Sequence, residues 1–277
     1  VKEMIRQDCF MASIDLTDAY HSVPIAKVHQ KYLKISWKGQ LYQYCSLAFG
    51  LSSAPRIFTK LLKPVLAKLR GDGFQSVAYL DDLYLQGKSR IECLKNVEAT
   101  YDLLQKVGFH INEKKSVLVP TQQIEYLGFS LDSANLTVTL PREKRNSVVE
   151  ACTELLQSPK RPIRVVARTI GVLVATFPAV PFGPLHYRCL EKEKTQALNE
   201  SKGNYSRLMT VREGRSLEQL KWWIDNVQKE TTYLSLARKR ICASLSTDAS
   251  FTGWGASAIV NNGTERATSG HWSKTEI

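Results

Sequence analysis

Apolar residues along this chain recur at two spacings, and the changes of spacing mark out its elements. Residues 9–14, CFMASI, run together and stop abruptly on Asp15, as a buried strand does. YLKISWKGQLYQY then alternates and breaks at Lys38-Gly39, which predicts a hairpin. In SSAPRIFTKLLKPVLAKLRGDG the period lengthens to that of a helix. Ser52 or Ser53 is the expected cap, Pro55 sits in the first turn, Ile57, Phe58, Leu61, Leu62, Val65, Leu66 and Leu69 form the stripe, and Gly71 ends it. Pro64 is expected to bend it. VAYLDDLYLQG, residues 77–87, follows as two strand-forming arms around adjacent carboxylates. Ser89 and Glu92 make a capping box before an amphipathic helix through Leu94, Val97, Tyr101, Leu104 and Val107, closed by Gly108. Strands near FHI, SVLV and IEYLGFSL complete a strand, helix, strand, strand, helix, strand order, the split βαβ arrangement of ferredoxin-like folds. That fold hosts many activities and decides none.

From Pro141 the pattern turns helical. PREKRNSVVEACTELLQ and RVVARTIGVLVATF predict helices separated by the basic SPKRP, and SLEQLKWWIDNVQ predicts another with Trp222 and Trp223 in the core. RICASLSTDASFTGWGASAIV predicts strand, turn, strand. No internal repeat or low-complexity tract interrupts the chain.

Composition narrows the setting. With 277 residues, 43% of them hydrophobic, there is material for more than one folded unit. Lysine and arginine exceed aspartate and glutamate by 38 to 26, a net charge of +12, which favours a polyanionic partner such as nucleic acid, although a solvated basic surface fits the charge as well. Cys9, Cys45, Cys93, Cys152, Cys189 and Cys242 are scattered without CxxC spacing, as reduced thiols of an intracellular protein of cytoplasm or nucleus are. No apolar run approaches the ~20 residues of a membrane span and no signal peptide opens the chain, so no membrane partner is expected. The chain opens in what reads as a helix and is expected to be an excerpt of a longer one.

The carboxylates at Asp81 and Asp82 need compensation, because charged side chains form strands poorly and are costly to desolvate. Solvent at a hairpin tip is one answer, although Asp-Asp is a weak central pair for a tight turn. A divalent cation is the other. Placing the first strand beside the central hairpin would bring Asp15 to Asp81 and Asp82, and clustered carboxylates with substrate phosphates suit Mg²⁺. Asp15 alone reads equally as a turn or helix cap.

SIDLTDAYHSVPI, YQYCSLAFGLSSAPRIF, YLDD, GFHINEKKS and EYLGF resemble, in this order, motifs A to E of the reverse transcriptases of retroelements and retroviruses. The resemblance implies an RNA-directed DNA polymerase. Its partners would be an RNA or DNA template with primer and deoxynucleoside triphosphates, and its cofactor two Mg²⁺ ions with Mn²⁺ as alternative. Asp15 and Asp81 match the metal ligands, and Asp82 the third, less direct carboxylate. Asp18 and Tyr20 match positions that line the incoming nucleotide, with the Tyr20 ring crowding the sugar 2′ position. Phe49 and Gly50 match residues beneath nucleotide and template, although LAFG stands where the family often has LPFG. Lys115 matches a proton donor to pyrophosphate, and Leu127 and Gly128 match the hairpin that grips the primer.

Further on, TFPAVPFGPLHYRCLE, the WW helix and STDASFTGWGA are similar to the DIRS-like class of retrotransposon polyproteins, and STDAS with GWGASAIV to the opening of a ribonuclease H domain whose first metal ligand would be Asp248. After Asp248 the only acids are Glu265 and Glu276, so hybrid cleavage is not expected. The fingers segment that family members carry before motif A is also short. The implied class is α+β: a palm with partial fingers over residues 1–135, a helical thumb over 136–190, a connection over 191–240 and the beginning of an RNase H-like α/β domain over 241–277. A catalytically decayed or domesticated remnant that binds template-primer is the alternative, and the oligomeric state is left open.

Overall fold

The computed structural model describes residues 1–158, 160–211, 214–229, 233–237, 243–260 and 263–273. They divide into two compact units, Val1–Leu236 and Ala237–Ile277. Residues 1–9 form turns in place of the expected helix, the Met4 and Ile5 amides both donating to the Val1 carbonyl. So short a segment cannot offset the cost of helix nucleation on its own.

Strand β1 (Phe10–Thr17) follows, then a one-turn helix α1 (Lys27–Gln30) and the hairpin β2 (Lys34–Trp37) with β3 (Gln40–Gln43). It turns at Lys38-Gly39 as the alternation predicts, both at positive φ. Helix α2 (Ala54–Gly71) has Pro55 in its first turn and continues through Pro64, and the Ser53 hydroxyl makes no cap. β4 (Gln75–Tyr79) and β5 (Asp82–Gly87) form the central hairpin. Before α3 (Arg90–Lys106) the Ser89 hydroxyl accepts the Glu92 amide at 3.2 Å, the predicted cap. β6 (His110–Ile111) and β7 (Val117–Thr121) close this part.

The strands lie in the order β4-β5-β1-β6, with β7 also paired to β1, every pairing antiparallel. The first strand thus sits between the third and the fourth, as the split βαβ pattern requires. Alternation sorts β1 and β5 into two faces. Ala12, Ile14, Leu16, Leu83 and Leu85 pack with Phe58, Leu62 and Leu69 of α2 and with Cys93, Val97 and Leu104 of α3. Met11 and Tyr84 point the other way, into a second core. Asp15 and Asp82 keep step with Met11 and Tyr84, so both leave the sheet on the face away from α2 and α3.

That second core is shared with β8 (Gln123–Tyr126), β9 (Phe129–Asp132) and β10 (Thr137–Thr139), and with helices α4 (Arg142–Gln157) and α5 (Ile163–Thr176), which flank the short β11 (Lys160–Pro162). α6 (Arg188–Glu200), β12 (Leu208–Thr210), α7 (Arg215–Val227) and β13 (Leu234–Ser235) complete the first unit. α6 escaped the sequence pattern because Leu190 is its only fully buried side chain. α4 packs on α5 and α7, and α6 on α5 and α7, so the helices of 136–190 and of 191–240 form one cluster. Trp223 is buried at its centre and donates to the His186 carbonyl at 2.8 Å, while Trp222 is only half-buried.

The second unit is an antiparallel sheet of β14 (Ala243–Ala249), β15 (Gly253–Val260) and β16 (Glu265–His271). ERATSGH has too few apolar residues to have announced the third strand. Cys242 and Glu276 lie outside the described residues. Gly87 fixes the seat of α3 on β5, since a Cβ there would fall 2.2 Å from the Cys93 amide nitrogen. Gly87→Ala should therefore cost about 1–3 kcal/mol through overpacking, read as a lower urea midpoint at unchanged slope.

Candidate active site

The hairpin that carries the acidic pair closes with Tyr79 opposite Asp82. Its central residues are therefore Leu80 and Asp81, one position earlier than an Asp81-Asp82 tip. The register follows from burial: slipping by one residue would turn Leu83 and Leu85 out of the α2/α3 core. The consequence is local strain. Leu80 takes φ +56°, a region that costs a bulky residue on the order of 1–3 kcal/mol and is held only by a surrounding structure that over-determines it.

Asp82 opens β5 directly opposite Asp15 of β1. The Leu16 amide donates to the Asp81 carbonyl at 3.0 Å, tying the turn to the end of β1. On its other side Asp15 is held by the turn between β6 and β7. Its carbonyl accepts the Asn112 amide at 2.9 Å, its amide donates to Ser116 Oγ at 3.0 Å, and Ser116 Oγ donates to the Asn112 carbonyl at 2.7 Å. Lys115 stands within this clamp. Asn112 and Ser116 had no signal in the sequence beyond their proximity to Lys115, because the bonds that matter use the backbone of a residue about a hundred positions away.

Asp15, Asp18, Tyr20, Phe49, Asp81 and Lys115 line one cavity of about 430 Å³. Asp82 does not line it. Burial raises the pKa of Asp82, the nearby Asp81 and Asp15 add to the rise, and Lys115 opposes it. Among the described residues no group of three or more His, Cys, Asp or Glu side chains is placed to cage a metal ion. The cavity thus offers the carboxylates of Asp15, Asp18 and Asp81, hard oxygen donors of the kind that suits Mg²⁺ when substrate phosphates complete its shell.

Tyr20 meets Phe58 of α2 edge-on at 5.7 Å and Phe49 in a tilted contact at 5.2 Å. Burial, then Asp81 and Tyr79, push its phenol pKa up. Phe49 is 67% exposed, so its ring faces the cavity with its outer side uncovered. Gly50 has φ +85° and open space where a Cβ would be, so the turn's backbone, not crowding within this chain, calls for glycine. Asp18 is also left-handed, at φ +51°, with its carbonyl accepting the Ser22 amide and Oδ1 3.9 Å from His21 Nδ1.

Leu127 and Gly128 are the two central residues of the β8–β9 hairpin, both at positive φ, the type I′ geometry. Lys144 of α4 lies against Gly128, where a Cβ would fall 2.4 Å from Nζ, and its ammonium sits 4.5 Å from the Phe129 ring centre. Sequence gave no pointer to Lys144, which reaches the hairpin from another element.

In the second unit Asp248 lies on β14 opposite Gly255, its Oδ1 accepting the Ala249 amide at 2.9 Å. Glu265 pairs with Ile259, four residues further along β15, or about 13 Å at ~3.3 Å per residue. The sheet does not bring the two together.

Residues 2–131 match the family of reverse transcriptases (RNA-dependent DNA polymerases). The chain is 24% identical over 247 residues to the Pro-Pol polyprotein of Feline foamy virus, covering 82% of this chain and 21% of that protein. It is 28% identical over 140 residues to the Gag-Pol polyprotein of Feline leukemia virus, 47% of this chain and 8% of that one. A third relative, the Pol polyprotein from transposon gypsy of Drosophila melanogaster, is 26% identical over 120 residues, 43% of this chain and 11% of its own length. The chain spans about a fifth or less of each. The solved foamy viral protease-reverse transcriptase in complex with RNA/DNA hybrid superposes with a TM-score of 0.67 at 19% identity, over 98% of this chain and 34% of that one. The fold is therefore shared with that protein, mixed α and β.

The raised pKa of Asp82 gives a test. Between the ordinary carboxylate value and the raised one the folded state binds the extra proton, so stability falls as pH climbs through that window. Asp82→Asn should raise the melting temperature of the metal-free protein by about 1–3 °C at pH 7.5. The gap to wild type should close as the pH drops below the window, as followed by circular dichroism.

Proposed function

We propose, from the match of residues 2–131 to the reverse transcriptase family, that this chain is the polymerase part of a retrotransposon Pol protein, an RNA-directed DNA polymerase. The observation that carries the reading is the shared cavity of Asp15, Asp81 and Lys115, walled by Tyr20 and Phe49. Its substrates would be a primed RNA or DNA template and deoxynucleoside triphosphates. The solved relatives were captured with RNA/DNA hybrid and with double-stranded DNA, which supports the template class.

In this reading the primer 3′-hydroxyl displaces pyrophosphate from the α-phosphate of the nucleotide. Asp15 and Asp81 are the ligands for two divalent cations, Mg²⁺ with Mn²⁺ as alternative, which when bound would supply Lewis acidity to the attacking and leaving oxygens; Asp82 is the less direct carboxylate. Lys115, held at the cavity by the Asn112–Ser116 clamp, gives a proton to the departing pyrophosphate. Tyr20, fixed by Phe58 and Phe49, occupies the space a ribose 2′-hydroxyl would need, and Asp18 lines the same nucleotide pocket. Phe49 and Gly50 form the floor under nucleotide and template, and Leu127-Gly128 at the hairpin tip holds the primer end.

By this reading residues 1–135 are palm with partial fingers, 136–190 thumb, 191–240 connection and 241–277 the beginning of an RNase H-like domain. Asp248 is that domain's first metal ligand. Because Glu265 stands at the far end of its sheet, cleavage of an RNA hybrid is not expected of residues 243–273. TFPAVPFGPLHYRCLE and STDASFTGWGA support a DIRS-like element. Among the described residues no helix is long and apolar enough to cross a membrane, and Cys9, Cys45, Cys93, Cys152 and Cys189 are free thiols, which suits the cytoplasm or nucleus.

Primer extension on an RNA template with Mg²⁺ tests the assignment. Asp81→Asn should lower the rate by about 10³-fold or more, and Tyr20→Ala should raise ribonucleotide use relative to deoxynucleotide by about 10- to 100-fold. Binding of template-primer with no extension by the wild-type chain would point instead to a remnant that has kept only its grip.

A further inference from the structure

Tyr126 occupies a position that neither the motif resemblance nor the cavity lining singles out. It ends β8, immediately before the Leu127-Gly128 tip, and its hydroxyl donates to the backbone carbonyl of Asp82 at 3.1 Å. Its ring meets that of Tyr84 at 5.4 Å on the face of β5 that also carries Asp82. Tyr84 is fully buried, and its hydroxyl donates to Gln86 Oε1 at 3.0 Å; Gln86 Nε2 donates in turn to the Met4 carbonyl at 3.0 Å and to Gln75 Oε1 at 3.2 Å. Burial pushes the Tyr126 phenol pKa up, with the charge of Asp82 adding to the rise, so it stays a donor throughout the neutral range.

This bond runs between two two-residue turns, and each contains a side-chain-bearing residue at positive φ, Leu80 in one and Leu127 in the other. A turn in that state has alternatives close in energy and needs outside contacts to hold it. The Asp81 carbonyl is already held by the Leu16 amide, and the Asp82 carbonyl is held by Tyr126. The two peptides that set the direction of the acidic side chains are thus fixed by two different elements, one by the strand that carries Asp15 and one by the hairpin of Leu127-Gly128.

We propose that Tyr126 is a positioning residue. Its hydroxyl couples the Leu127-Gly128 hairpin to the acidic turn, so that displacement of the hairpin tip is passed to the Asp82 peptide and thence to the placement of Asp81. The inference rests on the polymerase reading for its consequence in catalysis, but the coupling is a property of the fold. A tyrosine serves where phenylalanine would fill the same space, because only the hydroxyl reaches the carbonyl.

The test compares the 277-residue chain with Tyr126→Phe, which keeps the ring on Tyr84, and with Ser201→Ala, which removes a hydroxyl bonded to the Leu198 carbonyl at 2.9 Å at the end of α6. Hydrogen exchange at the Leu16 amide, whose acceptor is the Asp81 carbonyl, should quicken about three- to tenfold in Tyr126→Phe and stay at the wild-type rate in Ser201→Ala. In primer extension, Tyr126→Phe should lower kcat by about three- to tenfold and shift the half-saturating Mg²⁺ concentration upward by a similar factor, with the KM for nucleotide unchanged. A merely structural role would lower the melting temperature without moving the Mg²⁺ midpoint. Unchanged exchange at Leu16 overturns the coupling whatever the kinetics show, and changed exchange with an unmoved Mg²⁺ midpoint overturns the positioning role. If the wild-type chain extends no primer while Leu16 exchange responds to Tyr126→Phe, the coupling stands and the polymerase reading falls.

Discussion

The constraint on which this site depends is repulsion. Asp15 and Asp82 face each other across the β1–β5 pair, and Asp81 stands just before Asp82 in the adjoining turn. Like charges directly opposite in a sheet oppose the pairing they sit on. Here the pairing is secured by what lies behind it: Ala12, Ile14, Leu83 and Leu85 are fully buried against α2 and α3. Burial of those side chains is worth on the order of 1.5–3 kcal/mol each for the larger ones, more than the repulsion between two partly solvated carboxylates. The apolar arms of VAYLDDLYLQG are therefore the means by which the charges are kept together.

Holding charges in place also requires backbone control, and the structure supplies it three times. The Asn112–Ser116 turn clamps Asp15, the Leu16 amide holds the Asp81 carbonyl, and Tyr126 holds the Asp82 carbonyl. All three partners act on main-chain atoms. Among the described residues Asp15, Asp81 and Asp82 form no ion pair, and Lys115 only opposes the rise in the pKa of Asp82. Acids saturated with arginine or lysine would leave no place for a cation; these carboxylates stay available to one while the backbone fixes their geometry.

Most of the first unit could be read from the chain because its signals are local. The buried run ending on Asp15, the helix stripe from Phe58 to Leu69, the Ser89 cap and the Lys38-Gly39 turn each depend on neighbours within a few residues. Hairpin register could not be read this way. Whether Asp81-Asp82 or Leu80-Asp81 forms the turn depends on which face Leu83 must occupy, and that is set by α2 and α3 from outside the hairpin. α6 and β16 were silent for a different reason: each buries too little for its period to show. The boundary expected near residue 190 came from the family resemblance and had no local signal behind it, and the contacts of the described residues divide the chain into Val1–Leu236 and Ala237–Ile277.

The candidate site divides along the same line. The residues proposed to do the chemistry, Asp15, Asp81, Tyr20, Phe49 and Lys115, carry recognisable neighbours in sequence and meet in one cavity. Asn112, Ser116 and Tyr126 lie inside GFHINEKKS and EYLGF, but their hydrogen bonds to another segment's backbone could not be read there, because a backbone carbonyl leaves no trace of its partner in the sequence. Asp248 shows the converse: a recognisable neighbourhood without a structural one, since its sheet holds Glu265 at the opposite end. A motif names the atoms that react, whereas packing of distant segments decides whether those atoms converge. In this chain that packing converges on the YLDD turn and on nothing comparable among the described residues of the second unit.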